Sequence, residues 1–262
     1  ILGANRLAIQ DIAQGQMPFS NEDKTTWAVQ NGEIYNLDEI KVELEGKGYK
    51  FQSNCDTEAL VHLYDEYGTE MLKKIDSEIF VFVIYDSIND SVFAVRDRAG
   101  CHPLYYAYDE DDTLYFASEI KQLSEFDSIK EIRELEAGHQ FIDGDIFEWE
   151  KTKRKISDST PEHLLEVLET SVKKRVNTEM PIGVFLSGGI DSSLICYLAN
   201  KHHHDVTSII LGDILSSDRQ FAVRFCKEHG YKYHIVEPSF DYEQELEEHV
   251  RFLETYEPLI IR

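Results

Sequence analysis

One segment of the chain carries the residue types that bind phosphate. It lies between a predicted strand and a predicted helix and reads Phe185-Leu186-Ser187-Gly188-Gly189-Ile190-Asp191-Ser192-Ser193. The glycines let the backbone approach an anion closely, and serine hydroxyls and N–H groups at the helix start donate to phosphate oxygens. No lysine follows the glycines, so the segment is not a GxxxxGK[ST] loop. Asp191 would repel phosphates unless a divalent cation lay between them, so the segment predicts a site for a nucleotide with Mg²⁺.

The second half of the chain alternates strands and helices around this segment. A first helix opens at Thr160-Pro161, with the threonine as its cap and the proline in its first turn. The elements that follow are strand Ile182 to Leu186, helix Ser192 to Lys201, strand Val206 to Leu211, helix Asp218 to His229 and strand Tyr233 to Val236. This order predicts a parallel sheet that binds ligands beyond the carboxyl ends of its strands. Four residues lie there and are expected to hold adenine, ribose and phosphate: Leu186, Gly188, Leu211 and Gly212.

The first half reads as short strands joined by turns and interrupted by two helices. The predicted strands are Thr26 to Gln30, Ile79 to Tyr85, Ser91 to Arg96, Leu104 to Tyr108, Thr113 to Ala117 and His139 to Ile142, and the helices are Leu37 to Lys47 and Asp56 to Tyr67. The first strand is predicted to end in a turn at Asn31-Gly32. This pattern is typical of antiparallel α+β layers. The polar run from Glu148 predicts a linker, so we expect domains at residues 1–155 and 156–262.

Composition disfavours several classes of function. Lys and Arg number 26 against 50 Asp and Glu, and the resulting net charge of −24 is unsuited to binding nucleic acid. No apolar run is long enough to span a membrane, and the first residues do not resemble a signal peptide. The cysteines lack CxxC spacing, which predicts reduced packing residues: Cys55, Cys101, Cys196 and Cys226. We therefore expect a cytoplasmic protein with no nucleic-acid or membrane partner.

The phosphate-binding segment resembles the SGGxDSS pyrophosphate loop of ATP pyrophosphatases. The chain as a whole resembles the glutamine-hydrolysing asparagine synthetase family. The similar segments follow the family order through nearly all of the chain: Asn5 to Asp11, Asn31 to Asn36, Ser53 to Glu58, Arg96 to Tyr106, Phe116 to Glu119, the phosphate loop and Glu254 to Tyr256.

This resemblance implies a fold and a reaction. The fold is an antiparallel, layered α+β glutaminase-like domain of the N-terminal-nucleophile type, followed by an α/β parallel-sheet, Rossmann-like ATP pyrophosphatase domain. In the implied reaction, glutamine releases ammonia in the first domain. The ammonia attacks an acyl-adenylate in the second domain and releases AMP, after the adenylate has formed from ATP with loss of pyrophosphate. The implied small molecules are glutamine, ATP with Mg²⁺, and aspartate as the acceptor, and the implied assembly is a homodimer.

The resemblance also implies roles for individual residues. Glutamine would contact Arg6 at its carboxylate, and Glu33 and Asp56 at its ammonium and amide end. Ile9 would also line this pocket, and Asn31 with the Gly32 N–H would form the oxyanion hole. ATP would contact Leu186, Ser187, Gly188, Gly189, Asp191, Ser192, Ser193, Leu211 and Gly212, with Asp191 also binding the metal. Glu254 would take part in catalysis beside the acceptor.

Three features depart from the family pattern. Residue 1 is Ile1, whereas the family nucleophile is a cysteine at the extreme N-terminus. The sequence ends at Arg262, before a Ser-Gly-Glu-Gly-Ala-Asp-Glu stretch that helps to hold pyrophosphate in the family. Glu257 replaces the family aspartate in the acceptor segment and is followed by Pro258. We therefore expect the native protein to be longer than the sequence shown.

Two other functions remain open at this stage. One is an amide-forming, adenylating enzyme with an inactive glutaminase domain, as in β-lactam synthetases and lasso-peptide cyclases. The other is a non-catalytic relative that binds a nucleotide or glutamine. A cysteine directly after the initiator methionine would separate the main hypothesis from the first alternative, and pyrophosphate release would argue against the second.

Overall fold

A computed structural model describes residues 1–6, 9, 11, 13–149, 160–178, 180–237 and 242–255, with only the backbone described at 242–245. The chain divides into two compact units, Ile1–Lys155 and Ile156–Arg262. None of the helices in the described part of the chain is both long and apolar enough to cross a membrane.

The described part of the first unit contains nine strands in two antiparallel sheets. The strands are β1 (Phe19–Ser20), β2 (Thr26–Gly32), β3 (Phe80–Asp86), β4 (Ser91–Arg96), β5 (Tyr105–Tyr108), β6 (Leu114–Ala117), β7 (Ile132–Glu134), β8 (His139–Ile142) and β9 (Asp145–Glu148). The larger sheet has the order β1-β2-β3-β4-β8-β9, and the smaller one has the order β6-β5-β7. This arrangement confirms the predicted antiparallel layers.

The described helices of the first unit are α1 (Leu37–Gly46), α2 (Asp56–Tyr67), a 3₁₀ helix (Gly68–Lys74) and α3 (Ile120–Ser124). Helices α1 and α2 and the 3₁₀ helix pack on one face of the larger sheet, whereas α3 packs beside strands of the smaller sheet. Strand β3 explains the layering, because alternate side chains of a strand point to opposite faces. Phe80 and Phe82 pack in a core with residues of α1 and α2, whereas Val81 and Val83 pack in a second core with Leu104 and other residues. A continuous apolar run is the sequence signature of such a strand, buried on both faces.

In the second unit, the residues that the structure describes form a three-stranded parallel sheet with helices. Its elements are α4 (Pro161–Arg175), β10 (Ile182–Phe185), α5 (Ile190–His202), β11 (Val206–Leu211), α6 (Ser217–His229), β12 (Lys232–Val236) and α7 (Tyr242–Leu253). The strand order is β10-β11-β12, and both pairings are parallel. The Thr160 hydroxyl oxygen caps α4 by accepting from His163 N at 3.3 Å, and Gly230 ends α6 with φ of +71°. The predicted alternation of strands and helices is confirmed for the described residues.

Two local predictions were wrong. Strand β2 does not end in a turn at Asn31-Gly32, because both residues continue the pairing with β3, opposite Val81 and Phe80. The polar run from Glu148 does not begin a linker, because Glu148 pairs in β9 and Trp149 is anchored to the first unit. The Trp149 indole Nε1 donates to the Arg96 carbonyl at 3.0 Å.

All four cysteines are free thiols. Cys55, Cys196 and Cys226 are buried, as expected for packing residues, whereas Cys101 is exposed. Cys55 precedes α2 as its N-terminal cap residue, and Cys196 and Cys226 share an apolar cluster between the sheet, α5 and α6.

Candidate functional site

The end of β2 and the start of α2 are joined through the buried carboxylate of Asp56. Its side chain accepts from Gln30 Nε2 at 3.0 Å and from the Ile34 N–H at 2.9 Å. Burial raises the pKa of Asp56, although these two hydrogen bonds oppose that effect. Asp56 also occupies the first turn of α2, where the helix dipole favours a negative charge. The carboxylate is therefore held in one orientation and is suited to binding a cationic group.

Two further charged groups lie close to Asp56. Burial and, to a smaller extent, the negative charge of Asp56 raise the pKa of Glu33 to about 7, although the positive charge of Arg6 opposes this rise. Glu33 follows β2 directly, and its N–H donates to the Ile79 carbonyl at 3.0 Å. The charges of Arg6 and Asp56 thus both act on Glu33, and one cation with two carboxylates complements the charges at the two ends of an α-amino acid.

Gly32 occupies a position that only glycine fits. Its φ is +139°, and an added Cβ would lie 2.5 Å from Phe80 Cα and closer still to the Ile79 carbonyl oxygen. The Phe80 N–H donates to Asp97 Oδ2 at 3.3 Å, and the Phe80 carbonyl accepts from the Asp97 N–H at 2.9 Å. The neighbouring pair of Glu33 and Ile79 is hydrogen-bonded, so Gly32 and Phe80 form the alternate kind of antiparallel pair, in which the two residues exchange no N–H···O bonds. A backbone donor in this position suits a developing oxyanion.

The remaining residues predicted to bind glutamine are at the surface. Asn31 is exposed at the end of β2, and the Ile9 side chain is 44% exposed. Arg6 is half-buried, and its Nη2 donates to the Asp11 carbonyl at 3.2 Å. The roles of Asn31 and Ile9 stay predictions.

Cys55 is the cysteine next to this pocket. Burial raises the pKa of its thiol, and the neighbouring Asp56 charge raises it further. A thiol in this state stays protonated and is a poor nucleophile. Cys55 therefore does not replace the N-terminal cysteine that the family resemblance requires.

In the second unit, the predicted phosphate loop connects β10 to α5. Gly188 has φ of +81°, and an added Cβ would lie 2.6 Å from Ala222 N and 2.7 Å from Phe221 Cβ. Gly188 is thus required for close packing of the loop on α6. Gly189 meets no such restriction, because its nearest contact would be Ser187 Oγ at 3.5 Å.

The serines of the loop face one another. Ser187 Oγ and Ser192 Oγ are 3.0 Å apart, and the Ser187 N–H donates to Ser192 Oγ at 3.2 Å. Asp191 is exposed in the first turn of α5, which has no side-chain cap at its N-terminal Gly189. The orphan N–H groups of this turn, two hydroxyls and one carboxylate therefore share one exposed end of the helix.

The predicted nucleotide residues at the strand ends differ in what they can offer. The Leu186 side chain is buried, so only its backbone is available to a ligand. The Leu211 side chain is 57% exposed. Both backbone groups of Gly212 are already bonded, because its N–H donates to the Val236 carbonyl at 3.1 Å and its carbonyl accepts from Arg219 Nη1 at 3.1 Å.

Ser193 and Glu254 are the two remaining residues that were predicted to contact ATP or the acceptor. Ser193 is half-buried in α5, and its N–H donates to the Gly189 carbonyl at 3.0 Å as part of the helix. Glu254 directly follows α7 and has φ of +54°. Tyr256 and Glu257 of the acceptor segment lie outside the described residues, and the catalytic role of Glu254 stays a prediction.

Two residues that hydrogen-bond to the predicted site residues were not predicted from the sequence. Gln30 orients Asp56 through a hydrogen bond. The sequence feature that could have indicated this role is a polar residue at an alternate strand position, on the same buried face of β2 as Thr26 and Ala28. Arg219 holds the Gly212 carbonyl and pairs with Glu237 Oε1 at 2.7 Å. Its signal was a cation in the first turn of a helix, which the helix dipole disfavours.

Two family models match the chain. Residues 1–177 match a family model described as Glutamine amidotransferase domain. The chain belongs to this glutamine amidotransferase domain family. Residues 163–262 match a second family model, described as Asparagine synthase. The two matches confirm the family resemblance found in the sequence.

Three curated relatives of the chain illustrate the similarity. The asparagine synthetase [glutamine-hydrolyzing] of Zea mays is 39% identical over 208 residues, covering 77% of this chain and 35% of the relative. Asparagine synthetase B [glutamine-hydrolyzing] of Escherichia coli (strain K12) is 38% identical over 212 residues, covering 77% and 37%. Asparagine synthetase [glutamine-hydrolyzing] 1 of Bacillus subtilis (strain 168) is 33% identical over 243 residues, covering 80% and 38%. The chain thus spans little more than a third of the length of these relatives.

Proposed function

We propose that the protein is an ATP-dependent, glutamine-hydrolysing amidotransferase of the asparagine synthetase type, a carbon–nitrogen ligase. Glutamine and water give glutamate and ammonia. Aspartate and ATP give β-aspartyl-adenylate and pyrophosphate. Ammonia then displaces AMP from the adenylate and forms asparagine. Domains at residues 1–155 and 156–262 carry the first reaction and the second pair of reactions, respectively.

The cluster of Arg6, Glu33 and Asp56 is the observation that carries this proposal. In it, Arg6 binds the α-carboxylate of glutamine, while Asp56 and Glu33 lie toward the ammonium and amide end. Asp56 is fixed by Gln30 and the Ile34 N–H before any ligand arrives, so little ordering is required on binding. Ile9 lines the same pocket in the proposal.

Amide hydrolysis requires stabilisation of the oxyanion that forms when the amide carbon is attacked. The Gly32 N–H and the Asn31 side chain supply this in the proposal, since the Gly32 N–H is not used by Phe80. The family resemblance implies that the nucleophile is a cysteine at the extreme N-terminus, activated by its own α-amino group.

In the second unit, the loop binds the phosphates of ATP through Ser187, Gly188, Gly189, Ser192 and Ser193. Leu186, Leu211 and Gly212 lie toward adenine and ribose, with Gly212 acting by its shape because its backbone groups are already bonded. Glu254 acts beside the acceptor.

Asp191 is the proposed protein ligand of Mg²⁺. It fits this role because its exposed carboxylate shares the start of α5 with two serine hydroxyls. Among the residues that the structure describes, no group of three or more His, Cys, Asp or Glu could hold a metal ion. Oxygens of the nucleotide would therefore complete the coordination. When bound, Mg²⁺ would neutralise phosphate charge, which Asp191 alone cannot do.

The proposal includes a cytoplasmic location, a homodimer and no nucleic-acid or membrane partner. An enzyme with an inactive glutaminase domain is not favoured, because the charged residues predicted to bind glutamine lie together. The relatives are also named as glutamine-hydrolysing.

The test is product balance in the protein of native length. Supplied with ATP, Mg²⁺, aspartate and glutamine, it should form asparagine, glutamate, AMP and pyrophosphate in equal amounts. Ammonium should replace glutamine as nitrogen donor. Pyrophosphate release without asparagine would sink the choice of aspartate as acceptor, and the absence of glutamate formation would sink the glutaminase assignment.

A further inference from the structure

A tight turn at residues 11–15 lies against the guanidinium of Arg6, and neither Asp11 nor Gly15 has a role in the proposed reaction. The Gly15 N–H donates to the Asp11 carbonyl at 3.0 Å, and the Gln14 N–H donates to Asp11 Oδ1 at 3.1 Å. Arg6 Nη2 donates to the same Asp11 carbonyl at 3.2 Å. One carbonyl oxygen therefore closes the turn and orients the guanidinium.

Gly15 forms the floor beneath this guanidinium. Its backbone is buried, and an added Cβ would lie 2.7 Å from Arg6 Nη1 and closer still to Cζ and Nη2. The φ of Gly15 is not in the left-handed region, so the backbone alone would accept other residues. The close approach of Arg6 is what requires glycine at position 15.

The carboxylate of Asp11 links this turn to the segment that precedes Asp56. Asp11 Oδ2 accepts from the Asn54 N–H at 2.8 Å. Lys41 Nζ fastens the same segment, because it donates to the Ser53 carbonyl and to Asn54 Oδ1, both at 2.8 Å.

Glu58 holds the inner side of the same segment. Its carboxylate accepts from the Gln52 N–H at 2.7 Å, the Ser53 N–H at 2.8 Å and Ser53 Oγ at 2.6 Å. Glu58 lies two residues beyond Asp56 in α2. A continuous set of bonds therefore connects Arg6 to the helix that carries Asp56.

We infer that Asp11 and Gly15 are positioning residues that fix Arg6 relative to Asp56 and so select ligands with both an α-carboxylate and an α-ammonium group. Arg6 and Asp56 are the two ends of the glutamine pocket, so the inference rests on the proposed function. Gly15 sets where the guanidinium lies, and Asp11 ties that position to residues 52–54.

The experiment compares two ligands that the enzyme does not turn over. L-glutamate and L-isoglutamine share the α-ammonium and the side-chain carboxylate, but isoglutamine has a neutral carboxamide in place of the α-carboxylate. Calorimetric titration of the native-length protein gives both dissociation constants. We expect the wild type to bind glutamate about tenfold to a hundredfold more tightly, which corresponds to ~1.4 to ~2.8 kcal/mol.

Gly15→Ala should reduce this ratio to near one, by weakening glutamate binding while isoglutamine binding changes little. The variant should fold, because the group it displaces is the far end of a flexible side chain. Gly46→Ala is the matched control, since a Cβ there would meet nothing within 4 Å, and it should keep the wild-type ratio. General damage to the fold would weaken both ligands alike.

Asp11→Asn provides a second, independent variant. Asp11 has φ of +42°, a region that asparagine also accepts, so the turn is retained. The amide has only one oxygen to accept from Gln14 and Asn54, and we expect an intermediate ratio. A wild-type ratio in either folded variant would overturn the inference, as would a ratio of one in the wild type. Glutaminase activity of the wild type, measured separately, tests the proposed function itself.

Discussion

The two candidate sites are held in place by different means. In the first unit, Asp56 is 6% exposed and depends on another side chain, Gln30, for its orientation. In the second unit, Asp191 is exposed, and the shape of the surrounding loop depends on the backbone at Gly188. Buried charges that influence one another make affinity sensitive to pH and to distant contacts. An exposed charge at a helix start can be replaced with little effect on folding, so its loss affects chemistry alone.

The largest effect should come from Asp191→Asn. Two unit negative charges about 4 Å apart repel by about 1 kcal/mol in water and several-fold more in a cleft, so the carboxylate needs a cation between itself and the phosphates. The amide holds that cation weakly, and pyrophosphate release should fall at least about a hundredfold, or ~2.7 kcal/mol.

Asp218→Asn is the matched control for Asp191, because Asp218 is an exposed acid in the first turn of α6. It should retain wild-type pyrophosphate release. Equal rates of pyrophosphate release in the two variants would show that Asp191 does not bind the metal and that the loop only connects β10 to α5.

The next largest effect concerns the glutamine pocket. Arg6→Ala and Asp56→Ala each remove a charge that the substrate needs, and a hydrogen bond to a charged group is worth about 1.5–3 kcal/mol. The KM for glutamine should rise accordingly. Asparagine formation from ammonium should be nearly intact, since free ammonia bypasses this pocket.

Asp38→Ala serves as the comparison, because Asp38 is an exposed acid in the first turn of α1. Both nitrogen donors should support normal rates in this variant. If Arg6→Ala lost activity equally with glutamine and with ammonium, the pocket would be misassigned.

A smaller effect distinguishes the two loop glycines. Gly188→Ala forces a side chain into left-handed backbone against Ala222 N, and should lower the free energy of unfolding of the second unit by about 1–3 kcal/mol. Gly189→Ala replaces an N-terminal cap residue with extended backbone and should cost less than ~1 kcal/mol. Urea titrations compare the two, and equal destabilisation would contradict the proposed packing of Gly188 on α6.

The smallest predicted effect is a pH dependence due to Glu33. Its pKa of about 7 means that the carboxylate becomes ionised as the pH rises through neutrality. Ionised Glu33 attracts an α-ammonium group, so L-glutamate should bind more tightly above this pH, by less than about tenfold. Glu33→Gln should remove this rise.

The stability of the ligand-free protein should change in the opposite direction. The folded-state pKa of Glu33 lies above its ordinary value of 4.5, so between 4.5 and about 7 the folded state keeps a proton that the unfolded state releases. The free energy of unfolding therefore falls as pH rises through this window. The melting temperatures of the wild type and of Glu33→Gln, measured as a function of pH, should approach each other at low pH. If the two melting temperatures changed with pH in parallel, Glu33 would be solvated and its pKa would not be raised.

Sequence patterns predicted the elements well where one physical signal dominated. The apolar run over β3 and the Thr160-Pro161 start of α4 both appear in the structure, because burial and capping act locally. The Asn31-Gly32 pair misled the analysis, since the same dipeptide fits a hairpin turn. Its glycine is instead required by close approach of the neighbouring strand at Ile79, a contact that local sequence does not reveal.

The site residues were predicted by family resemblance rather than by chemistry alone. Arg6, Glu33 and Asp56 are far apart in sequence, and Asp56 reaches the end of β2 only because α2 packs beside that strand. The contribution of Gln30 could be predicted only in part, because a polar residue at a core-facing position signals a buried partner without naming it.

The four free cysteines can be used to measure local unfolding, because one is exposed and three are buried. In native protein, a thiol reagent should react at once with Cys101, whereas Cys55, Cys196 and Cys226 become accessible only when their surroundings open. Cys55 lies beside Asp56 in the first unit, and Cys196 and Cys226 lie on the buried faces of α5 and α6 in the second. Mass spectrometry would assign each slow labelling phase to a cysteine. The labelling rates would then give the local unfolding rate of each unit separately, without an introduced probe.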